Sequence, residues 1–492
     1  MNEYDAAVIG AGPAGCTAAR LLALWGYAVV LVARPATAHE RAETLPPSCR
    51  RLFRFLDVDR QIASAGFYPT AGNTAWWGSD EARVENYPAE IGCGYQVLRR
   101  DFDALLLGLA QPASIVNDAV RSADPTSGTV LLRSGGELRA RFILDASGRA
   151  GVVARSGFRK HDPVSRMIAI CGMFEASRVP KQRDKGVARR PGDLPYKEAG
   201  AVRGHTLIES YRDGWVWSVP VSETRAFVTV MVDPRVTRMS RGDGLEATYA
   251  RELEKTRHIR PGPPTGAVWA CDASVYHATT YAGPRFLLIG DAGSSVDPLS
   301  SYGVKKAMTS AWLAATVVNT CLRDSSRSSV ALDYFNTQEQ QVFTDHMRQT
   351  AAHYRAVATV ENHPFWLRRS ETPAHTAFYT EPELTAALDT IRRAPAIRLR
   401  RSSGVQPQAV PRISGREIVL GEGLLAPGIP RAIEYLEGVH LWKLAEMAES
   451  YSQVPDLYAA YNRSCQPVPL PNFLSALSVL VAKNVLMNEV RA

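Results

Sequence analysis

The chain has 492 residues, a formal net charge of +8, and 46% hydrophobic and 22% charged residues. This length exceeds what one hydrophobic core organises, so two or three domains are expected, and the composition excludes a disordered or fibrous class. The seven cysteines lie far apart without any C-x-x-C pair, which argues against a disulfide framework and a zinc site.

Targeting and partner signals are few. The N-terminal segment lacks the basic-then-apolar order of a signal peptide, and no apolar run reaches about 18 residues. We therefore expect a cytoplasmic protein without a membrane span. Positive charge is concentrated at residues 181–190 and 392–401, which favours solvated surface segments or, alternatively, docking of an acidic or peptide partner. No module that reads nucleic-acid bases is recognisable.

The first predicted elements surround a glycine-rich turn. Residues 4–9 are expected to form a buried strand, residues 16–25 a helix, and residues 27–32 a second, parallel strand. The intervening G-x-G-x-x-G pattern permits a tight turn, lets the backbone approach a pyrophosphate, and aims a helix N-terminus at the phosphates. In this context we predict a dinucleotide site. Its residues are Gly10, Gly12, Pro13, Ala14 and Gly15.

The second strand ends without the acidic residue that ordinarily binds the adenosine ribose. It reads Val32-Ala33-Arg34, and Ala33 cannot accept a hydrogen bond, so that contact is lost or replaced. Arg34 could reach a phosphate or stack on adenine. The alternative is a solvated loop arginine.

The following predicted elements are short. A helix is expected at residues 48–56 after Glu43-Thr44-Leu45-Pro46-Pro47, strands at 74–78 and 94–98, and a helix at 104–110. A hairpin at residues 130–132 and 138–144 leads to the polar turn Asp145-Ala146-Ser147-Gly148-Arg149.

The middle of the chain predicts an antiparallel sheet and the end predicts helices. Apolar residues alternate at 168–174, 206–211, 215–221 and 226–232, as in half-buried strands. Residues 179–203 are expected to form a long loop. A buried strand at 285–289 precedes Gly290-Asp291, and a long helix runs from 303 to about 322. Helices at 430–437, 439–450 and 473–487, with a hairpin at 412–420, form a small module.

Three stretches together resemble the FAD-dependent monooxygenases of the para-hydroxybenzoate-hydroxylase type: the first glycine turn, residues 145–148, and the segment from Gly290-Asp291 through Asp297-Pro298 to Gly303. The resemblance implies an α/β fold. A Rossmann-like FAD-binding domain of the glutathione-reductase type would comprise residues 1–160 and 270–345. An antiparallel-sheet substrate domain would be inserted at 161–269, and a mostly helical C-terminal module would follow at 346–492.

The same resemblance implies how FAD is held. Asp291 would accept hydrogen bonds from the ribityl hydroxyls, although an aspartate at this position can also cap a helix. The helix after Gly303 would point its N-terminus at the pyrimidine edge of the flavin and stabilise negative charge there. Besides the glycine turn, the implied FAD-binding residues are Arg34, Glu43, Arg100, Asp291, Pro298, Gly303 and Val304. No metal is implied.

One strand resembles the flavin-dependent halogenases. Trp215-Val216-Trp217-Ser218-Val219-Pro220 is similar to their W-x-W-x-I-P signature, with Val219 in place of isoleucine. In that family the tryptophans are thought to keep the flavin's peroxide chemistry away from the organic substrate. Tryptophans at alternate strand positions also occur simply as core residues. Trp215, Trp217 and Pro298 are the candidate catalytic residues.

One departure from the halogenases concerns lysine. They capture hypohalous acid with a lysine in the region that here reads Gly72-Asn73-Thr74-Ala75-Trp76-Trp77-Gly78, and no lysine precedes Lys160. Lys305 and Lys306 are expected at the surface or behind the site. Without this lysine, the resemblance implies oxygen transfer from a C4a-hydroperoxyflavin to an electron-rich aromatic ring.

The substrate expectation comes from a narrower resemblance. Residues 43–47 and 297–304 are similar to the flavoprotein monooxygenases of tryptophylquinone biogenesis, which hydroxylate a tryptophan side chain of a partner polypeptide. We therefore expect an FAD-dependent monooxygenase of such a substrate. The alternatives are a flavin-dependent halogenase, an isoprenoid-chain (geranylgeranyl-type) reductase of the same fold, and a non-catalytic FAD-binding protein.

The source of electrons is left open by the sequence. No second G-x-G-x-x-G is present, so NAD(P)H would dock transiently or act through a separate flavin reductase. His205 and His277 are the candidate bases, although a histidine in such a position is more often an ordinary strand or loop residue.

Overall fold

The structure is a computed structural model, and it describes residues 3–34, 40–175, 204–237, 244–262, 264–371, 380–393 and 396–489. The chain divides into two compact units, Met1–Thr372 and Pro373–Ala492. The predicted loop at residues 179–203 lies outside the described residues.

The first unit combines four sheets with eight α-helices among its described residues. Its strands are β1 (Glu3–Ile9), β2 (Val29–Val32), β3 (Ala42–Leu45), β4 (Tyr68–Thr70), β5 (Gly72–Trp76), β6 (Arg83–Asn86), β7 (Gly94–Leu98), β8 (Ser114–Val116), β9 (Val120–Asp124), β10 (Thr129–Leu132), β11 (Glu137–Asp145), β12 (Arg159–His161), β13 (Ile168–Glu175), β14 (Thr206–Tyr211), β15 (Gly214–Pro220), β16 (Arg225–Val232), β17 (Trp269–Asp272), β18 (Tyr276–Ala278), β19 (Ala282–Gly283), β20 (Phe286–Leu288) and β21 (Ser294–Ser295). Its helices are α1 (Pro13–Leu24), α2 (Cys49–Phe55), α3 (Asp59–Ser64), α4 (Arg99–Gly108), α5 (Gly244–Glu254), α6 (Gly303–Arg323), α7 (Ser328–Ala358) and α8 (Pro364–Ser370).

The main sheet explains why the glycine turn lies at an edge. Its strand order is β19-β20-β11-β1-β2-β8, and the pairs from β20 to β8 are parallel. The second half of β1 (residues 6–9) and the strands β2 and β20 are runs of buried apolar residues, as expected for a parallel sheet that is covered on both faces. The chain leaves β1 towards β2 on one side and returns through β11 on the other. The turn after β1 therefore lies at the switch point of the sheet, where ligands of such folds bind.

The predicted antiparallel sheet is confirmed, and it is extended at both edges, by β17 on one side and by β5 and β6 on the other. Its order is β17-β13-β16-β15-β14-β5-β6, and only the β14–β5 pair is parallel. One face carries Val216, Val228 and Val230 and is covered by α5, whose Tyr249 hydroxyl donates to the Val228 carbonyl at 2.8 Å. The other face carries Trp215 and packs against the residues that follow Asp297 and against α7 and α8. One face of the sheet thus packs on the supporting helix α5, and the other face lies against the residues that follow Asp297.

The long helix predicted at residues 303–322 is α6, which packs against α1 and α7. Small residues of α6 are buried at this contact, including Ala311, Ala314 and Ala315, and they let the helices approach closely. Within the described residues, no helix combines the length and hydropathy needed to cross a membrane.

The second unit is a mixed module with its own apolar core. Its elements are α9 (Glu381–Arg393), β22 (Leu399–Arg401), β23 (Gln406–Ser414), β24 (Glu417–Leu425), β25 (Tyr435–Leu436), β26 (Val439–His440), α10 (Leu441–Ala448), α11 (Val454–Ser464), α12 (Leu470–Ala482) and β27 (Leu486–Asn488). The predicted hairpin is β23–β24 and is longer than expected. The expected helical content is confirmed, although three two-stranded sheets accompany it.

Two helix predictions in this unit are wrong. Residues 430–437 form no helix, because Ile433 exchanges backbone hydrogen bonds of 2.8 and 3.0 Å with Leu424 of β24. The predicted helix at 473–487 ends at Ala482, and β27 then pairs with β22. Helix α11 was missed, although Pro455 in its first turn is a typical start signal.

Candidate functional site

The glycine turn has the geometry that the sequence predicts. Gly10 has φ +102°, and a Cβ there would lie 2.6 Å from the Ala146 carbonyl oxygen, so a side chain is excluded. Gly15 lies against the Gly10 carbonyl and Ala146, which allows α1 to pack directly on the strand ends. A Cβ at Gly12 would meet nothing closer than an Arg99 guanidinium nitrogen at 3.9 Å. Gly12 is therefore the position where a ligand can approach the backbone.

The polar turn after β11 packs against the glycine turn. Asp145 is fully buried and pairs with Ile9 at the end of β1. One carboxylate oxygen accepts hydrogen bonds from the Ser147 backbone and hydroxyl, and the other accepts from the backbone of Val153 and Ala154. Since both oxygens of Asp145 are used in this way, this carboxylate fixes the loop.

A group of charged side chains lies beside Gly12. Arg99, at the start of α4, donates two hydrogen bonds of 3.0 Å to Asp103 and lies 3.5 Å from Glu43 of β3. Burial raises the pKa of Glu43, and the positive charge of Arg99 opposes that rise. The charge of Asp291 acts on both Glu43 and Arg99, so all of these residues share one site.

The structure does not bring two of the predicted arginines into this group. Arg100 is exposed and pairs with Glu40 at 3.1 Å and Asp101 at 3.0 Å, because successive residues of α4 point in different directions. Its neighbour Arg99 lies beside Gly12 instead, and local sequence does not distinguish between two adjacent arginines. Arg34 is exposed after β2, whereas Ala33 is buried.

The segment that follows β20 forms the other half of the site. Asp291 lies in a 3₁₀ turn, Gly290–Ala292, and 42% of its side chain is exposed. The Tyr276 hydroxyl donates to the Asp291 carbonyl at 2.6 Å, so the turn is held from behind. A second 3₁₀ turn, Pro298–Ser300, precedes α6, whose first residues Gly303 and Val304 lie at the same end. Open space surrounds the Cβ position of Gly303.

Strand β15, which carries Trp215 and Trp217, is connected to the segment after β20 by hydrogen bonds. Trp215 is fully buried, and its Nε1–H donates to the Tyr354 hydroxyl at 3.2 Å. Tyr354 in turn donates to the Asp297 carboxylate at 2.9 Å. Burial raises the pKa of Asp297, and burial together with Asp297 raises the pKa of Tyr354. The structure thus places Trp215 and Pro298 at one site.

Trp217 lies on the same strand face as Trp215 but differs in its partners. The two rings meet edge to face with centroids 5.8 Å apart. The Trp217 Nε1 atom is buried, and among the described residues it has no hydrogen-bond partner. Trp77, just after β5, makes edge contacts with Trp215, Tyr354 and Trp366, at centroid distances of 5.4 to 6.3 Å. The rings of Trp77, Trp215, Trp217, Tyr354 and Trp366 form an aromatic wall beside residues 297–299. No sequence pattern indicated the place of Trp77 in it.

The candidate bases lie elsewhere. His205 is buried and its Nδ1 is 3.0 Å from the Thr74 hydroxyl, and burial lowers its pKa. His277 lies in β18 against Phe343, with ring centroids 4.8 Å apart, and burial also lowers its pKa. Neither histidine contacts the aromatic wall.

Comparisons with known proteins identify the family. Residues 3–350 match the family model of the FAD binding domain. The chain belongs to this FAD-binding family. It is 26% identical over 379 residues to tryptophan 2-halogenase of Chondromyces crocatus, covering 73% of this chain and 69% of that protein. These findings confirm the predicted group, an FAD-dependent oxidoreductase related to halogenases and monooxygenases.

Two solved structures share the fold. The flavin-dependent halogenase CmlS superposes with a TM-score of 0.79 at 20% identity, covering 99% of this chain and 96% of its own. The peptidyl tryptophan dihydroxylase QhpG, described as essential for tryptophylquinone cofactor biogenesis, gives a TM-score of 0.68 at 21% identity, covering 93% and 95%. The predicted fold class is therefore confirmed.

Proposed function

We propose that FAD lies along the edge formed by the glycine turn, Asp291 and the start of α6. Three features of the chain fit this cofactor: the open approach to the Gly12 backbone, the half-exposed Asp291 carboxylate, and the open space at Gly303. The turn would bind the pyrophosphate, with Arg99 beside it, and Asp291 would accept hydrogen bonds from the ribityl hydroxyls. Glu43 would hold Arg99 in place.

The enzyme hydroxylates an electron-rich aromatic ring in this proposal. The observation that carries it is the aromatic wall, which includes Trp77, Trp215 and Tyr354 and lies beside residues 297–299 in a strand region without lysine. Among the described lysines of the first unit, those nearest the proposed flavin site make hydrogen bonds with other groups. The Lys306 amine donates to the Gly290 and Ser294 carbonyls. Among the described residues, none of those that form the wall carries an amine that could capture a hypohalous acid.

Bound FAD, once reduced, supplies activated oxygen, and the protein determines where that oxygen goes. The wall is apolar: Trp215 and Tyr354 are fully buried and exclude water, and the partly buried Trp77 and Trp217 would offer ring surface to an aromatic substrate. The hydrogen bonds from Trp215 to Tyr354 and from Tyr354 to Asp297 fix the wall relative to Pro298. Orientation of the substrate ring and exclusion of water are the roles of these residues.

Isotope labelling tests this reaction. Turnover under ¹⁸O₂ in halide-free buffer is expected to give a product that is heavier by one labelled oxygen atom for each hydroxyl group. Oxygen derived from water, or a strict requirement for chloride or bromide, would contradict hydroxylation.

The substrate of this proposal is a tryptophan side chain of a partner polypeptide. The whole-length likeness to QhpG supports it, and so do the exposed arginines Arg392, Arg398 and Arg400, which could attract an acidic partner. NAD(P)H supplies electrons, directly or through a separate flavin reductase. Equal turnover of free tryptophan and a tryptophan-bearing peptide would contradict the polypeptide substrate.

Halogenation is the second candidate function. It is favoured by the sequence similarity to tryptophan 2-halogenase and by the W-x-W strand. Turnover with bromide, monitored by mass spectrometry for the bromine isotope pair, distinguishes the two reactions. A brominated product that is lost without halide would establish the halogenase function.

A further inference from the structure

A lysine is buried behind Asp291 where a cation is not expected. Lys306 is the fourth residue of α6, and only 2% of its side chain is exposed. A positive charge in the first turn of a helix opposes the helix dipole, and burial of an amine requires compensating partners. The position of Lys306 therefore calls for an explanation in its surroundings.

The partners of Lys306 all belong to the loop that carries Asp291. Its amine donates to the Gly290 carbonyl at 3.0 Å and to the Ser294 carbonyl at 2.5 Å. It also lies 3.7 Å from the Asp291 carboxylate. The ammonium group thus ties both ends of the loop and fixes the charge of Asp291 from the interior side.

A second buried charge completes the arrangement. Glu339 of α7 is 3% exposed, and its Oε2 atom has no hydrogen-bond partner among the described residues. Burial raises the pKa of Glu339, and the charge of Lys306 opposes that rise. Ser310 of α6 accepts a hydrogen bond of 3.1 Å from the Gly290 backbone. Gly290 therefore has two hydrogen-bond partners: its N–H donates to the Ser310 hydroxyl, and its carbonyl accepts from the Lys306 amine.

We propose that Lys306 is a positioning residue of the flavin site, which holds the Asp291 carboxylate for the ribityl chain and contributes positive charge. This inference rests on the proposed placement of FAD and is independent of whether the enzyme hydroxylates or halogenates. A positive charge near a flavin favours the reduced, more negative state. Removing the two charges must therefore shift the flavin midpoint potential in opposite directions.

The experiment compares four variants in the full-length protein. Lys306→Met should weaken FAD binding by about 10- to 100-fold, as expected for loss of hydrogen bonds from a charged group. Its midpoint potential should become more negative. Lys306→Arg keeps the charge but not the shape of the side chain. Its midpoint potential should therefore lie close to that of the wild type, whereas its FAD affinity should remain lower. Lys305→Met is the matched control, because Lys305 is half-buried and contacts Ser48 and the Tyr302 ring instead.

Glu339→Gln keeps the shape of the side chain and removes its charge. It should retain FAD and shift the midpoint potential to more positive values, and this result remains decisive if Lys306→Met does not fold. Spectroelectrochemistry without substrate measures both potentials, so the result is separate from the identity of the product. Potentials that shift in the same direction in Lys306→Met and Glu339→Gln, or that do not move, would overturn the proposal. So would unchanged FAD affinity in Lys306→Met.

Discussion

At the scale of single residues, two glycines of the same turn differ in what they tolerate. Gly12 has φ −80° and free space at its Cβ position, so Gly12→Val should fold with a nearly unchanged melting temperature. The new side chain would occupy the approach to the backbone, and FAD uptake should be abolished. Thermal unfolding and a flavin fluorescence titration measure the two effects. Normal FAD affinity in Gly12→Val would contradict the proposed pyrophosphate site.

Gly15 provides the contrasting case. A Cβ there would overlap the Gly10 carbonyl and approach Ala146 at 3.3 Å, so α1 would have to move away from β1. Gly15→Ala should therefore lower the free energy of unfolding, by about 1–3 kcal/mol, before any effect on the cofactor is considered. A variant that is as stable as the wild type would show that the packing of α1 is looser than described.

A buried carboxylate gives a prediction for pH. Burial raises the pKa of Asp297, so the folded state binds its proton more tightly than the unfolded state does. The contribution of Asp297 to stability is then fully present below its ordinary pKa of about 4 and is lost as the pH rises through the raised value. Asp297→Asn has no carboxyl group at this position, so it does not lose stability in this way. Its free energy of unfolding in urea, relative to that of the wild type, should increase as the pH rises above about 4. A difference that stays constant with pH would contradict the raised pKa of Asp297.

At the scale of elements, the two tryptophans of β15 form a natural pair for comparison. Trp215→Phe removes an indole N–H that donates to Tyr354 and leaves space in a closed core, so it should cost about 1–3 kcal/mol. Trp217→Phe removes a buried N–H without a partner among the described residues, so its cost should be smaller. Urea unfolding of both variants measures the difference. Equal costs would mean that the bond from Trp215 to Tyr354 contributes little.

Elements with a repeating pattern were predictable, and their side-chain partners were not. The alternating runs gave β13 to β16 nearly to the residue, because period-two burial is encoded locally. The non-helical path at Ile433 depends on pairing with Leu424, a contact that local periodicity does not reveal. The choice of Arg99 over Arg100, and the burial of Lys306 against Glu339, depend likewise on packing between distant segments.

At the scale of the whole molecule, net charge of +8 is modest, and its distribution matters more. Arg392, Arg398 and Arg400 are exposed in the second unit, and Arg400 lies 3.6 Å from Glu489. Arg401 is different, because it pairs with Glu449 at 2.8 Å and lies over the Trp442 ring. Its replacement should lower stability, whereas replacement of the other three tests steering alone.

Steering of an acidic polypeptide should depend on these exposed arginines and on salt. Replacing Arg392, Arg398 and Arg400 with Gln should raise KM for a tryptophan-bearing acidic peptide several-fold and leave kcat nearly unchanged. The same loss of three charges at the exposed Arg121, Arg133 and Arg139 of the first unit is the control. Because the Debye length is about 8 Å at physiological ionic strength, added salt should raise KM of the wild type towards that of the first variant. Steady-state kinetics across a salt series measures this. If both triple variants respond alike, the arginines of the second unit do not guide the substrate.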